Sequence, residues 1–255
     1  MSAITALGIE NISKTFVSRD GSEVVALQHV TLAARQAEII TIVGPSGCGK
    51  STLLRLLAGF EAPSEGRLHV GNAEIQGPSA DRGMVFQQPQ LYPWLTVFDN
   101  VVFGPRMRGM TKARYTEAAA HYIKSVGLSG FETNYPYQLS GGMKQRAQIA
   151  RVLINEPRIL LMDEPFGALD YQNRLVMQRL LLDLADQYKP TVLFITHDVE
   201  EAIFISDRVH VMSQRPGRIL KSFDVNLPRP RDYETLSRDK EFIEMKVEIL
   251  RMLQH

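Results

Sequence analysis

Cysteine and long apolar runs are both scarce in this sequence. Its 255 residues contain one cysteine, Cys48, which excludes an internal disulfide. No apolar stretch approaches the ~18 residues that a membrane-spanning helix requires. The first residues, Met1 to Thr5, lack a basic segment followed by an apolar one, so we expect no signal peptide. If the protein works at a membrane, we expect it to do so through partner chains.

An excess of charge of either sign is missing as well. Lysine and arginine number 29 against 28 aspartates and glutamates, which leaves a formal net charge of +1. This balance gives no support for a nucleic-acid partner or an acidic membrane surface, so we expect no nucleic acid among the partners. The chain is long enough for one large domain, or for a core that carries a subdomain.

The stretch from Gly44 to Thr52 carries the strongest chemical signal. It fits the phosphate-binding loop pattern G-x-x-x-x-G-K-[ST] at every specified position, between the apolar run 39–43 and the helix-forming run 53–57. Lys50 is expected to reach the β- and γ-phosphates of a nucleoside triphosphate, and Ser51 to hold Mg²⁺. The predicted nucleotide-binding residues of this loop are Gly44, Pro45, Ser46, Gly47, Cys48, Gly49, Lys50, Ser51 and Thr52.

Two carboxylates follow a second apolar strand. The continuously apolar run 159–162 is typical of a parallel strand buried on both faces, and Asp163 and Glu164 end it where open α/β sheets bind ligands. We expect Asp163 to hold Mg²⁺ through water and Glu164 to polarise the attacking water. His197 follows the apolar run 191–196 and is a candidate to hydrogen-bond a phosphate or that water, although a loop histidine more often has no chemical role.

The remaining pattern predicts an α/β fold with a mostly helical insertion. Alternating apolar residues indicate antiparallel strands in the first part of the chain, and no convincing strand occurs between about 91 and 139. The predicted strands are 7–17 and 24–33 around the turn 18–21, a hairpin over 67–75, and closing strands at 208–212 and 218–225. The predicted helices include one that starts near Thr96, one over 111–126 with Thr111 as N-cap, 172–188, and an amphipathic helix over 239–253.

Three local features each permit two interpretations. Phe16 either stacks on an adenine ring or packs as an ordinary strand aromatic. The apolar cluster 91–95 either packs on the core or meets a partner, and its pattern slightly favours packing. Ser140, followed by Gly141 and Gly142, forms a helix start suited to an anion, but such a cap alone is a weak signal.

In their order along the chain, these motifs resemble the ATPase subunits of ABC transporters over nearly the whole sequence. The resemblance rests on the phosphate loop, Ser140-Gly141-Gly142, Asp163-Glu164, the stretch 167–170 and His197. It implies a P-loop (RecA-like) NTPase core with a mostly parallel sheet, an N-terminal antiparallel β subdomain and a helical insertion. The implied single domain covers 1–226, with a core at about 1–88 and 157–226 and a helical subdomain at about 89–156. Residues 227–255 are then a linker and a helix packed on the core.

The resemblance also implies further site residues. Gln87 matches a glutamine that contacts Mg²⁺ and senses the nucleotide, which adds it to Glu164 and His197 as a catalytic residue and to Ser51 and Asp163 at the metal. Residues 139–143 resemble the signature LSGGQ with Met143 replacing its glutamine, and Phe16 falls where the family usually carries a stacking tyrosine. The implied nucleotide contacts beyond the phosphate loop are Phe16, Ser140, Gly141, Gly142 and Asp170.

Two anion-binding helix starts on one chain, near Lys50 and near Ser140, are explained by the family's head-to-tail dimer. A second copy then supplies its signature to ATP bound at the first copy's phosphate loop, so ATP binding closes the dimer and hydrolysis releases it. By the same resemblance, the region 87–101 docks a transmembrane permease subunit, which favours a partner for the cluster 91–95.

The stretches 80–87, 91–97 and 215–219 are similar to those of the nitrate, sulfonate and taurine importer group. That similarity implies a peripheral location on the cytoplasmic face of the cell membrane, through permease subunits, and an indirect solute-binding protein.

Two other classes of nucleotide-binding protein have characteristic features that this sequence lacks. A soluble ABC-type ATPase without a transport role normally has two cassettes in one chain or a long coiled-coil insertion. A P-loop kinase needs an acceptor site and a lid, and a GTPase needs a guanine-specific motif such as N-K-x-D, which the sequence lacks. A neighbouring gene for a multi-span membrane protein would favour the importer subunit over both rivals.

We predict that Glu164→Gln binds ATP, hydrolyses it very slowly and accumulates as a closed dimer. The amide keeps the size of the side chain but does not polarise water as a carboxylate does. Single-turnover hydrolysis and sedimentation with MgATP measure the two effects. Near-normal turnover in this variant would remove Glu164 from the catalytic role.

Overall fold

The structure is a computed structural model that describes residues 5–18 and 20–254. The expectation about a signal peptide at Met1–Ile4 and the part of the first turn at Arg19 lie outside the described residues. The strands are β1 (Thr5–Val17), β2 (Glu23–Arg35), β3 (Ile39–Val43), β4 (Glu65–Val70), β5 (Ala73–Glu74), β6 (Arg82–Val85), β7 (Ile159–Asp163), β8 (Thr191–Thr196), β9 (Arg208–Met212) and β10 (Ile219–Asp224). The helices are α1 (Lys50–Leu57), α2 (Val97–Met107), α3 (Lys112–Ser125), α4 (Gly141–Leu153), α5 (Tyr171–Tyr188), α6 (Val199–Ile205), α7 (Tyr233–Leu236) and α8 (Lys240–Leu253).

A six-stranded sheet forms the centre of the fold, in the order β10-β9-β3-β8-β7-β6. Strands β9, β3, β8, β7 and β6 pair in parallel, and β10 pairs antiparallel with β9. Alternate residues of β3 enter two different cores, with Ile39 and Val43 on one face and Ile40 and Ile42 on the other. A sheet buried on both faces accounts for the uninterrupted apolar runs in β3, β7 and β8, and the predicted mostly parallel sheet is confirmed.

The N-terminal strands form a second, four-stranded antiparallel sheet in the order β2-β1-β4-β5. Leu7, Ile9 and Ile12 of β1 are buried together with Ile40 and Ile42 of β3, so the smaller sheet covers one face of the larger one. This arrangement confirms the predicted strand pair at the start of the chain and the predicted hairpin over 67–75.

Helices α2, α3 and α4 form the predicted helical insertion, and they pack against one another. Thr96 caps α2 by accepting the Asp99 N–H at 3.1 Å. Thr111 lies at the predicted N-cap position of α3, but its side chain makes no capping hydrogen bond with a described residue. Helix α6 was not predicted. It is only seven residues long and is separated from the end of β8 by two residues, so its apolar residues could not be distinguished from those of the buried strand before it.

The C-terminal segment packs on the core through α8, which contacts α6 and β9. The buried guanidinium of Arg231 fastens the chain that leads there, by donating to the carbonyls of Phe204 at 2.8 Å and Ser206 at 2.7 Å at the end of α6. Burial lowers the pKa of Arg231 to about 10, so the group stays charged at neutral pH and complements the carbonyl end of α6. The division of the chain at about 88, 156 and 226 stays a prediction. None of the helices in the described part combines the length and apolar character that crossing a membrane requires.

We predict that Arg231→Met lowers the free energy of unfolding by about 2 kcal/mol, because it leaves buried carbonyls without a donor. Urea denaturation at neutral pH measures the change. Lys240→Ala is the control, since Lys240 is exposed and its pair with Glu244 at 3.7 Å is a surface pair worth less than about 1 kcal/mol. Equal denaturation midpoints for the two variants would contradict the role of Arg231.

Candidate functional site

The predicted phosphate loop, carboxylates and histidine meet at one edge of the central sheet. Strand β3 pairs in parallel with β8, which places Val43 opposite Thr196. Strand β8 also pairs with β7, which places Asp163 opposite Ile195. The segments that follow these strands therefore leave the sheet side by side, and they carry the phosphate loop, Glu164 and His197.

The phosphate loop needs glycine at two of its positions. Gly47 has φ of 76° and Gly49 has φ of 107°, values in the left-handed region that glycine adopts readily. At Gly49 a Cβ atom would lie 2.7 Å from Leu27 Cδ2 and 2.8 Å from the Ala26 carbonyl oxygen, both in β2. The antiparallel sheet thus packs against the loop, and helix α1 begins within the loop, at Lys50. The amide groups at the start of this helix give the site a partial positive charge.

Lys50 is held inside the loop. Its ammonium group donates to the carbonyls of Gly44 at 2.8 Å and Pro45 at 2.9 Å, and the side chain is 5% exposed. Among the described residues, the groups within 3 Å of this buried ammonium are carbonyl oxygens, an arrangement that favours a further anionic partner. This position agrees with its predicted contact to the β- and γ-phosphates, which stays a prediction.

Ser51 and Asp163 are brought together from positions far apart in the sequence. The Ser51 hydroxyl donates to Asp163 Oδ1 at 3.0 Å. Burial raises the pKa of Asp163, and the neighbouring Glu164 charge raises it further, whereas the Ser51 hydrogen bond and the Lys50 charge lower it. A cation bound here would relieve the cost of holding two carboxylates side by side. Hydroxyl and carboxylate oxygens are also the protein ligands that Mg²⁺ takes beside phosphate and water, so these residues fit that ion.

Glu164 is held in a strained backbone conformation next to His197. Its φ of 43° is unusual for a residue other than glycine, and its N–H donates to the Ile195 carbonyl at 3.0 Å. The Glu164 carboxylate lies 2.9 Å from His197 Nδ1. The side chain of His197 is 59% exposed, so the rest of the imidazole ring remains accessible.

Gln87 lies beside the same carboxylate segment. A Cβ atom built on Gly167 would come within 3.3 Å of Gln87 Nε2 and 3.5 Å of the Glu164 carbonyl oxygen. The structure thus gathers Gln87, Asp163, Glu164 and His197 near the phosphate loop. Their catalytic and metal roles stay predictions.

Ser140, Gly141 and Gly142 lie at a different place on the chain. Ser140 caps α4 by accepting the Met143 N–H at 3.3 Å, as predicted. A cavity of about 240 Å³ beside this cap is lined by Gly142 and by Asn173 of α5, and no residue of the loop 44–52 lines it. A single copy therefore has two separate helix starts that suit anions.

The segment 167–170 forms part of a polar link between α5 and the histidine loop. Asp170 caps α5 by accepting the Asn173 N–H at 3.0 Å, which lowers the pKa of Asp170. Arg174, one turn further on, donates to the Leu169 carbonyl at 3.2 Å and to Asp198 at 3.3 Å. Asp170 has a clear structural role in the cap, and its predicted contact with a nucleotide is untested.

Phe16 is exposed, at 39% of its full accessible surface. The Lys14 ammonium lies 5.0 Å from the centre of the Phe16 ring, close enough for a cation–π contact. One part of the ring is accessible, which permits stacking on a base, and that contact stays a prediction.

The cluster 91–95 divides between the two interpretations. Leu91 packs against the core, whereas Trp94 is 70% exposed at the side of a groove of about 900 Å³. Tyr92 lies between Trp94 and Phe103, with ring centres 5.6 Å and 4.7 Å away, and the Arg151 guanidinium lies 5.5 Å from the Tyr92 ring. The slight preference for packing thus holds for Leu91 but is wrong for Trp94.

Buried polar residues around the site were missed in the sequence. They are Asn100, Gln145 and Gln148, together with the half-buried Arg174, and they hydrogen-bond to backbone groups of neighbouring loops. The spacing of Gln145 and Gln148 on the face of α4 that carries Ile149 and Val152 was a usable signal. A polar residue on an apolar helix face needs a buried partner, although the sequence does not say which one.

Cys48 lies inside the phosphate loop between two glycines, and its side chain is 1% exposed. Burial raises the pKa of this thiol, and the nearby Lys50 charge opposes that shift. We predict that a bulky maleimide labels Cys48 at least about tenfold more slowly in the folded protein than in urea, and faster as pH rises, because the thiolate is the reactive form.

Labelled protein is expected to lose ATP hydrolysis, and MgATP is expected to slow the labelling. Mass spectrometry quantifies the label, and Cys48→Ser shows whether the reagent acts elsewhere. Full activity after complete labelling would contradict a nucleotide contact at this residue.

Comparisons with known proteins agree with this geometry. The family described as ABC transporter matches residues 27–167. The nitrate import ATP-binding protein NrtD of Synechocystis sp. is 44% identical over 254 residues, which cover 97% of this chain and 95% of that protein. The taurine import ATP-binding protein TauB of Jannaschia sp. is 44% identical over 253 residues, covering 98% and 94%. A dimeric post-hydrolysis structure of the ATP-binding cassette MJ0796, bound to ADP and Pi, has a TM-score of 0.75 and 30% identity, and covers 87% of this chain and 100% of that chain.

Proposed function

This chain belongs to the ABC transporter family, and we propose that it is the ATP-hydrolysing subunit of an importer for nitrate, a sulfonate, taurine or a similar small solute. The observation that carries the proposal is the meeting of Lys50, Ser51, Asp163 and Glu164 at one sheet edge, in a chain 44% identical to nitrate and taurine import ATP-binding proteins. The alternative is an ABC-type ATPase that is not coupled to transport.

Each residue of the site has a role in the proposed hydrolysis. Lys50 exchanges its loop carbonyl partners for oxygens of the β- and γ-phosphates and neutralises their charge. Glu164 orients and polarises the water that attacks the γ-phosphorus, and the contact with His197 at 2.9 Å keeps the carboxylate aimed. His197 in turn contacts the γ-phosphate through its accessible ring atoms.

Ser51, Asp163 and Gln87 are the residues proposed to hold Mg²⁺, with Asp163 acting through water. When bound, the ion neutralises charge on the phosphate oxygens. The hydrogen bond between Ser51 and Asp163 at 3.0 Å sets the two oxygen ligands at the same point beside α1, before any nucleotide arrives. Gln87 approaches from the end of β6, next to Gly167 and Glu164.

A second copy completes the site. The start of α4 at Ser140 to Gly142 is a second anion-binding helix terminus that does not line the phosphate loop of its own chain. In the proposed head-to-tail dimer this terminus contacts the nucleotide of the partner, and Phe16 stacks on the adenine while Asp170 lies at the shared site. The dimeric form of the structural relative supports this arrangement.

The proposed membrane partner is a permease subunit that docks in the groove beside Trp94. An exposed tryptophan in a groove with three further aromatic rings is typical of an interaction surface. The protein then works as a peripheral subunit on the cytoplasmic face of the cell membrane, and a solute-binding protein takes part indirectly.

Reconstitution with its permease subunits in vesicles tests the proposed function. We predict ATP-dependent uptake of at least one of nitrate, taurine and alkanesulfonates, with uptake lost in Glu164→Gln while the complex stays assembled. Uptake without any ATP, or ATP hydrolysis that no solute and no permease alters, would favour the alternative.

A further inference from the structure

A buried glutamine on α4 holds the segment that carries Gln87. The Gln148 side chain is fully buried, and both ends of its amide are used. Its nitrogen donates to the Phe86 carbonyl at 3.0 Å, and its oxygen accepts the Gln90 N–H at 2.6 Å. One side chain thus bridges the residue before Gln87 and the residue three positions after it.

The same helix makes a second bond at this point. Gln145, one turn earlier, also donates to the Phe86 carbonyl, at 3.2 Å. Gln145 does not bond to the Gln90 N–H. Of the two glutamines, Gln148 is therefore the one that bridges both ends of the turn 87–89. A buried amide with both hydrogen-bonding ends paired is costly to displace, because each lost partner leaves a buried polar group unpaired.

The position of this turn bears directly on the reaction. Gln87 Nε2 lies 3.3 Å from the place that a Cβ of Gly167 would occupy, and the Gly167 N–H donates to the Glu164 carbonyl at 3.1 Å. Gln87 therefore faces the carboxylate segment across a narrow gap. A shift of the turn by about 1 Å is enough to change reaction rates by an order of magnitude or more.

We propose that Gln148 is a positioning residue for ATP hydrolysis, which fixes Gln87 to helix α4. The proposal rests on the proposed function, because it assigns Gln148 an effect only through the role of Gln87 there. It also explains why a glutamine occupies a fully buried position of α4 between Ala147 and Ile149.

Gln148 lies on the same helix as the Ser140 cap, which is proposed to contact the nucleotide of the second copy. Helix α4 begins at the Ser140 cap, eight residues before Gln148, which is a rise of about 12 Å along one helix. The terminus proposed to contact the partner's nucleotide and the clamp on Gln87 therefore belong to the same rigid element. If the partner's nucleotide displaces α4, the displacement would therefore also move Gln87 at this chain's own nucleotide site.

The test compares Gln148→Met with Gln28→Met in the isolated protein with MgATP. Methionine keeps the volume of glutamine but cannot form the two hydrogen bonds. Gln28→Met is the matched control, since it is the same substitution at a glutamine of β2, whose amide oxygen accepts from Arg218 Nε at 3.2 Å. We expect kcat to fall about tenfold in Gln148→Met with KM for ATP changed less than about twofold, and kcat to stay within about twofold in Gln28→Met.

A double-mutant cycle with Gln87→Ala separates positioning from a general loss of stability. If Gln148 acts through Gln87, then Gln148→Met lowers kcat no further in the Gln87→Ala background. Thermal melting of each variant confirms that it is folded at the assay temperature. If Gln148→Met does not fold, Gln148→Asn, which is too short to bridge Phe86 and Gln90, takes its place.

Independent, multiplicative losses in the double variant would overturn the inference. An unchanged kcat in Gln87→Ala would overturn it as well, and it would also remove the role proposed for Gln87. Neither result would affect the uptake assay, whose outcome depends on Glu164 and the permease, so failure of this inference can be distinguished from failure of the proposed function.

Discussion

The parallel pairing of β3, β8 and β7 is the constraint on which the site depends. Main-chain hydrogen bonds align Val43 with Thr196 and Asp163 with Ile195, so the loops that leave these strands emerge at the same edge. No single side chain produces this arrangement. Ser51 and Asp163 lie more than 100 residues apart in the sequence, yet they form a hydrogen bond of 3.0 Å. They meet because β3, which leads to Ser51, and β7, which ends at Asp163, belong to the same sheet. Burial of both sheet faces stabilises that pairing, since each strand buries apolar side chains on either side.

A second level of order comes from buried and half-buried polar side chains that join loops to helices. Asn100 donates to the carbonyls of Tyr92, Leu95 and Thr96, and Arg174 joins the Leu169 carbonyl to Asp198. These contacts lie in segments without regular secondary structure, where side chains supply hydrogen bonds that a helix or strand would otherwise supply. They fix the loops around the site to the neighbouring helices.

In the proposed dimer, the helix start at Ser140 makes each nucleotide site depend on another copy. It has the geometry of an anion site, but in one chain it lies beside Asn173 rather than beside Lys50. A nucleotide shared between copies couples closure to the presence of its γ-phosphate, because only the closed dimer gains both sets of contacts. The exposed Trp94 and the aromatic groove lie on the same helical region. The proposed partner in this groove would contact α4 through Tyr92, whose ring lies 5.5 Å from the Arg151 guanidinium.

The sequence by itself determined the chemistry and the fold class. The phosphate loop, Asp163-Glu164 and the apolar strands are local patterns, and each requires only a few neighbouring residues to be recognised. Only the tertiary structure decided the contacts of individual side chains. It buries Cys48 and lets Asp170 cap α5. It also places Arg231 at the carbonyl end of α6 and hydrogen-bonds Gln148 to the segment around Gln87. The pattern of α4 places Gln148 on a buried face, but its hydrogen-bonding partners lie about 60 residues earlier in the chain. Such partners depend on which elements become neighbours, and that is decided by the packing of the whole chain.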